Sequence, residues 1–504
     1  MTARWKLCFL TLTVCCGCHT AAERSIVRRD LPLSDTARTA ASRVTNAADQ
    51  DESPDGRVRL VSDEQPVGLV IAAPSSDLSL TSCIAIGLSQ NPDLIAARQA
   101  EQVGTAALGV AETYPFNPFV QLQATPYQTS SDHGFGTTYH YVLLMQTIQL
   151  AHQQQFREAG ASAALNSTRW AIHQSELQNV AQTERLYFNL LYLQGLLDLA
   201  KASHANNQQM LRILEKQLDA GQATAADVAM VRVDARSTQQ QVRLARANYE
   251  TALRDLKRQL GMNADDPAKI AGDLRSLAWH SPSGVSLEPK GLDEPLTIIS
   301  PTEQEKLLVG SRAASRPDVM AARADIDTAR ANLCLATASR TPDLQIGPYY
   351  QRTLDGTTYL GFRAQFDLPV VNSGRPLEQQ RAAEVSQRIT MWQQIGRRAE
   401  LEAQAAWERY KLAHAALAEG SAVDTDDLPG ELQSLEQQFV AGEIDVIRVM
   451  QARASIIQNQ RVQLDLLNEL AQSAANLTGV TGMPIEDLLE TAQSPEKNAG
   501  NPIR

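Results

Sequence analysis

Much of what a globular enzyme needs is missing from this sequence. Aromatic residues are only 5% of it, while Ala, Gln, Leu, Arg and Glu abound. That balance favours long helices and coiled coils over a set of compact cores. Four of the six cysteines (Cys8, Cys15, Cys16 and Cys18) fall in the first eighteen residues. Beyond them only Cys83 and Cys334 remain, and no CxxC pair exists outside the N-terminus. A zinc ribbon or a thioredoxin motif is therefore excluded. Cys83 and Cys334 read as isolated small apolar residues on helices; pairing in an oxidising compartment is the other reading. There is no phosphate loop, no GxSxG and no HExxH. The eight histidines show no ligand spacing such as HxxxH. No catalytic residue, metal site or cofactor is expected, and energy for any work must come from a partner.

A basic surface is missing too. The formal net charge of −11 argues against a nucleic-acid binder. No apolar run of about 18 residues occurs after the N-terminus, so any membrane crossing must be made by β-strands.

The N-terminus reads as a targeting segment, residues 1–18. Arg4 and Lys6 precede a short apolar stretch from Leu7 to Val14, too short to span a bilayer. Cys15-Cys16-Gly17-Cys18 follows and resembles a bacterial lipobox, with Cys18 as the acylated residue. The usual Leu three positions earlier is Cys15 here, and cleavage without a lipid is the alternative. Residues 19–77 are polar and lack period, which reads as an extended leader.

From residue 78 the chain is periodic. A helical stretch over 80–113 is expected to end at Asn117-Pro118. Strands are expected at 119–127 and 138–150, from alternation and Tyr, Val, Leu and Ile content. A proline-free helical stretch over 154–219 would be roughly 100 Å long. Its Leu186, Leu190, Leu193 and Leu197 step like a coiled-coil seam. Gly221 marks a turn, and a return helix over 224–260 carries Val228, Ala235, Val242, Tyr249 and Leu256 at heptad intervals. Residues 262–300 read as a connector.

The order then repeats. Asn91-Pro92-Asp93 matches Arg316-Pro317-Asp318, and Gly136-Thr137-Thr138-Tyr139 recurs as Gly356-Thr357-Thr358-Tyr359. Ala220-Gly221 with Asp227-Val228 recurs as Ala441-Gly442 with Arg448-Val449. The second copy, 301–485, has expected strands at 344–352 and 358–368 and a hairpin over 375–478. In its last strand Phe362, Ala364, Phe366 and Leu368 face one way and Arg363, Gln365 and Asp367 the other, a pattern suited to lipid outside and water inside. A disordered tail is expected over 486–504. Four strands per chain cannot close a barrel, and open edges cannot sit in lipid. Several chains must contribute; three would give about twelve strands, a plausible size for a water-filled channel.

This arrangement resembles the TolC-like outer membrane efflux protein family over about 80–490. The residues that carry the resemblance are Asn91-Pro92, Arg316-Pro317, the turn glycines Gly221 and Gly442, and the closing Leu260-Gly261 and Leu477-Thr478-Gly479. It implies a mainly α protein with a small β part. It implies a homotrimer with a 12-stranded barrel in outer-membrane lipid and a helical coiled-coil barrel in the periplasm, fed by an inner-membrane pump through a periplasmic adaptor protein. It also implies that the turns at 220–228 and 441–449 lie at the periplasmic tip. Ala220, Gly221, Gln222, Ala223, Thr224, Ala441, Gly442, Glu443, Ile444 and Asp445 would then meet the adaptor. Many members carry acidic residues after the second tip; here Arg448 and Gln451 stand there, with Asp227 in the matching place of the first copy. These three are the constriction candidates. Asp227 and Arg448 could pair across subunits and hold the tip shut, or stay as two solvated charges. Phe366-Asp367-Leu368-Pro369 with Asn372 and Gly374 loosely resembles the heavy-metal efflux branch, although such a junction needs Pro and Gly for structural reasons as well. Two other classes compete. A coiled-coil spacer would need no alternating strands, and an adaptor would have one hairpin rather than two.

Overall fold

The computed structural model describes residues 77–128, 137–282, 309–353, 355–421, 434–435, 437–439 and 444–489. Its elements are mostly helical. In chain order they are β1 (Asp77–Leu78), α1 (Leu80–Gln90), α2 (Pro92–Glu112), β2 (Phe119–Gln128), β3 (Thr137–Ile148), α3 (Gln153–Asp219), α4 (Ala225–Leu260) and β4 (Lys269–Ile270). The second half gives α5 (Pro317–Ala338), β5 (Leu344–Arg352), β6 (Thr358–Phe366), α6 (Arg375–Ser421) and α7 (Val446–Thr481). Among the described residues, no helix is long and apolar enough to cross a membrane.

The expected single helix over 80–113 is two helices. The Asn91 side chain accepts from Leu94 N at 3.0 Å, Pro92 takes the first helical position, and Asn91 Nδ2 donates to Gln259 O at 2.7 Å. An Asn cap followed by Pro is a strong helix start. The second helix stops at Glu112, before the Asn117-Pro118 pair expected to end it. Further boundaries differ from expectation: β3 ends at Ile148 and β6 at Phe366, each two residues early. The last helix runs through Gly479 to Thr481 and is capped by Gly482. Where a disordered tail was expected from 486, Ile485–Asp487 forms a 3-10 turn and Leu489 bridges to Trp279; residues 490–504 lie outside the described residues.

The connector contributes structure of its own. β1 pairs in parallel with β4, Asp77 opposite Lys269 and Leu78 opposite Ile270. Leu274 and Trp279 follow it into the core. That core gathers Leu78, Phe188, Leu190, Leu256, Leu260, Trp407, Tyr410, Leu470 and Leu477, so residues from both repeats share it. Within the α3 seam Leu190 and Leu197 are buried, and Leu186 and Leu193 pack against the core. Cys83 and Cys334 are both free; Cys83 is buried and Cys334 is exposed, so the small-apolar reading holds only for the first.

Sheet and helices share one lateral order. The strands run β2-β3-β5-β6, all antiparallel. The helices joined to them pack α2 on α3, α3 on α5 and α5 on α6. β2 and β6 are thus the sheet edges, and α2 and α6 stand at the ends of the helical row.

Candidate functional site

Two regions can bear function: the open sheet and the hairpin turns. The sheet leaves apolar side chains uncovered. Leu122 on β2 is 72% exposed, and Leu360 and Phe362 on β6 are 81% and 80% exposed. The loop after β6 continues this, with Val370 and Val371 almost wholly exposed. In it Asn372 accepts from Gly374 N at 3.0 Å, so the polar part of the junction serves as the entry to α6. The end helices are apolar outside as well, with Val103 and Val110 on α2 and Met391 and Leu401 on α6. A contiguous uncovered apolar surface marks an interaction or membrane site.

The first hairpin turn is built tightly. Gln222 N donates to Gln217 O at 2.8 Å and Gly221 N to Leu218 O at 2.9 Å, with Gly221 at φ 74°. This is a helix end that favours glycine, since a side chain there would be strained. Thr224 then starts α4 with a reciprocal cap, its hydroxyl accepting from Asp227 N and the Asp227 carboxylate accepting from Thr224 N. Ala220, Gly221, Gln222 and Thr224 are exposed, whereas Ala223 is half-buried.

The second turn is described only in part. Ala441, Gly442 and Glu443 lie outside the described residues, as does Cys18. Ile444 is half-buried and Asp445 exposed. Asp445 begins α7 without a side-chain cap bond. Arg448 and Gln451 are exposed. Within the chain, among the described residues, no ion pair or hydrogen bond joins Arg448 to Asp227, whose carboxylate is already held by Thr224.

One part of the tip could not be seen from the turn motifs. Met210, Leu214, Val228, Val231, Phe439, Val446 and Val449 form a second, separate apolar cluster, with Ala223 and Ile444 packed on it. It joins the end of the first hairpin to the start of α7. Its signal in the sequence was the heptad spacing of Val228 and the recurring Val449, which mark buried positions but not each other as neighbours. Among the described residues no group of three or more His, Cys, Asp or Glu side chains could hold a metal ion.

Residues 84–262, spanning α1 to the end of α4, match the family described as outer membrane efflux protein. No curated protein matches the sequence. Solved structures are similar over most of their length. The CmeC outer membrane channel of Campylobacter jejuni is 14% identical, with a TM-score of 0.62 over 86% of this chain and 94% of that one. The MtrE outer membrane channel of Neisseria gonorrhoeae, in its open state, is 15% identical, with a TM-score of 0.61 over 80% and 88%. CusC, described for transmembrane channel formation, is 17% identical, with a TM-score of 0.62 over 80% and 92%. At these identities the likeness is one of fold.

Proposed function

Because residues 84–262 match the outer membrane efflux protein family, we propose that the chain is one protomer of a passive exit duct through the bacterial outer membrane. The family is one of channels, not of enzymes. One observation carries the reading: a four-stranded sheet with two open edges and uncovered apolar side chains. Unpaired strand edges in lipid cost several kcal/mol for each unsatisfied group, roughly. Antiparallel order allows β6 of one copy to pair with β2 of the next. Because α2 and α6 follow the same lateral order, one docking step closes the strand layer and the helical layer together. Three copies give about twelve strands, wide enough for water.

The remaining parts fit this use. α3 has 67 residues and at 1.5 Å per residue reaches about 100 Å, a length suited to crossing the periplasm. The exposed turn residues Ala220, Gly221, Gln222 and Thr224, with Glu443 and Asp445 of the second turn, are the surface offered to a periplasmic adaptor, which links the duct to an inner-membrane pump. Arg448 and Gln451 stand at the constriction. Cys18 is the lipid anchor.

Cysteines introduced along the outer edges of β2 and β6 test the closure. The expected result is a ladder of crosslinked species that ends at three chains. Crosslinking within single chains only, or none at any register, would overturn it.

A further inference from the structure

Where α3 crosses α7, the core holds an ionisable side chain that nothing above requires. Glu184 is 1% exposed. Among the described residues no well-formed hydrogen bond reaches either carboxyl oxygen, and only the Thr478 hydroxyl lies close enough to favour the ionised form. From Leu470 to Thr481 the facing helix α7 carries no charged residue. The Thr478 hydroxyl donates to Ala474 O of its own helix at 3.3 Å. Arg185, next along α3, is turned to Asn476 Oδ1 at 2.8 Å. Lys257, the buried cation of α4, is held by the carbonyls of Ala264 and Asp266 at 2.9 and 2.8 Å. From the 3-10 turn after α7, Glu486 adds a like charge. Cys83 of α1 and Tyr187 of α3 are buried nearby, and burial pushes each up to about 12, so both stay neutral. Among the described residues Arg185 alone offsets an ionised Glu184, and only in part, because its guanidinium is turned to Asn476.

Among the described residues the second repeat has no such group at the matching place. The buried residues Asn179, Thr183, Tyr187 and Leu190 correspond to the buried Ala399, Ala403, Trp407 and Tyr410, each 220 positions on. At the same offset Glu184 corresponds to Gln404, which is only half-buried and cannot ionise. The ionisable layer belongs to the seam between the first hairpin and the last helix of the second.

We propose that Glu184 is a proton-dependent latch between the two hairpins: neutral, it lets α3 and α7 pack; ionised, it loosens their crossing. An unpaired charge in a core is far costlier than a neutral acid of the same shape. Burial pushes the Glu184 carboxyl up from 4.5 to about 8; the Thr478 hydroxyl opposes this, Glu486 adds to it and Arg185 opposes it. The folded value lies above the unfolded one, so the contribution is present in full below about pH 4.5. It is lost as pH rises through about 8.

The test is the thermal midpoint of the full-length protein in detergent, read from pH 5 to pH 9 for the wild type and Glu184→Gln. Groups other than Glu184 titrate alike in both, so their difference isolates it. The expected result is a small gap at pH 5 that widens by several degrees in favour of the variant by pH 9. A gap that does not change with pH overturns the proposal. If E184Q fails to fold, infrared difference spectra of the wild type between pH 6 and 9 decide: loss of a buried protonated-carboxyl band supports the latch, and its absence at pH 6 overturns it. Both readouts concern the fold alone, so the result is independent of the duct reading.

Discussion

Thr224 and Asp227 hold each other at the start of α4: Asp227 N donates to the Thr224 hydroxyl at 3.3 Å, and Thr224 N donates to the Asp227 carboxylate at 3.1 Å. The carboxylate that the sequence offered as half of a gate is thus already part of the first hairpin's framework. Asp227→Ala should cost about 1 kcal/mol of helix-start stability. Faster hydrogen exchange at the amides of 225–228, with α4 otherwise unchanged, is the expected signature.

A gate remains testable at the same position. If Asp227 also reaches Arg448 of a neighbouring copy, Asp227→Ala and Arg448→Ala should each raise the closed-state current in planar bilayers. Thr224→Ala removes the cap partner but leaves the charge, so it should raise the current less than either. Unchanged closed-state current in both charge variants would end the gate idea.

Gly479 lies inside α7, and a Cβ placed on it would stand 2.7 Å from Ala181 Cβ. The glycine lets α7 approach α3 closely. Gly479→Leu should overpack this crossing and cost about 1–3 kcal/mol, read as a lowered thermal midpoint. Gly396, with open space around its Cβ position, is the control: Gly396→Ala should be neutral or slightly stabilising, since Ala favours helix.

Arg316 is the second repeat's counterpart of Asn91, and it solves the same problem by charge. Its side chain is 5% exposed and pairs with Asp318 and with Glu402, the latter at 2.7 Å. Removing the guanidinium strands two carboxylates that keep partial access to water. Arg316→Ala should therefore cost about 2 kcal/mol, less than the 3–5 kcal/mol of a fully buried pair. A denaturant midpoint shift checks it.

Cys18 carries the anchor proposal. Labelled palmitate should be incorporated by the wild type and not by Cys18→Ser. Equal labelling of both would remove the anchor.

Local pattern revealed most of the elements, and long-range pairing the least. The internal repeat located the strand Leu344–Arg352 to the residue, because it holds the place in the second copy that the strand from Phe119 holds in the first. The turn at Gly221 and the stop at Gly261 were legible because a left-handed backbone favours glycine. The break at Asn91 was carried by an Asn cap and Pro92, yet the Ala and Leu period runs across it and masks it. The stop at Gly479 was misplaced since that glycine serves close packing, and the true cap is three residues later at Gly482. The β1–β4 pair, the Trp279–Leu489 bridge and the clasp of Met210 with Phe439 and Val449 join segments far apart in the chain. No periodicity within one segment names its partner in another. Glu184 was hidden for a related reason: among the several acidic residues of α3, only the tertiary crossing distinguishes a buried carboxyl from a solvated one.

The central claim is that an open four-stranded sheet closes only in an assembly within the outer membrane. Electrophoretic migration of an outer-membrane fraction, with and without heating, tests it most directly. A trimer-sized band that collapses to the monomer on boiling is the expected result. A monomer recovered in the soluble fraction, heated or not, would contradict the account.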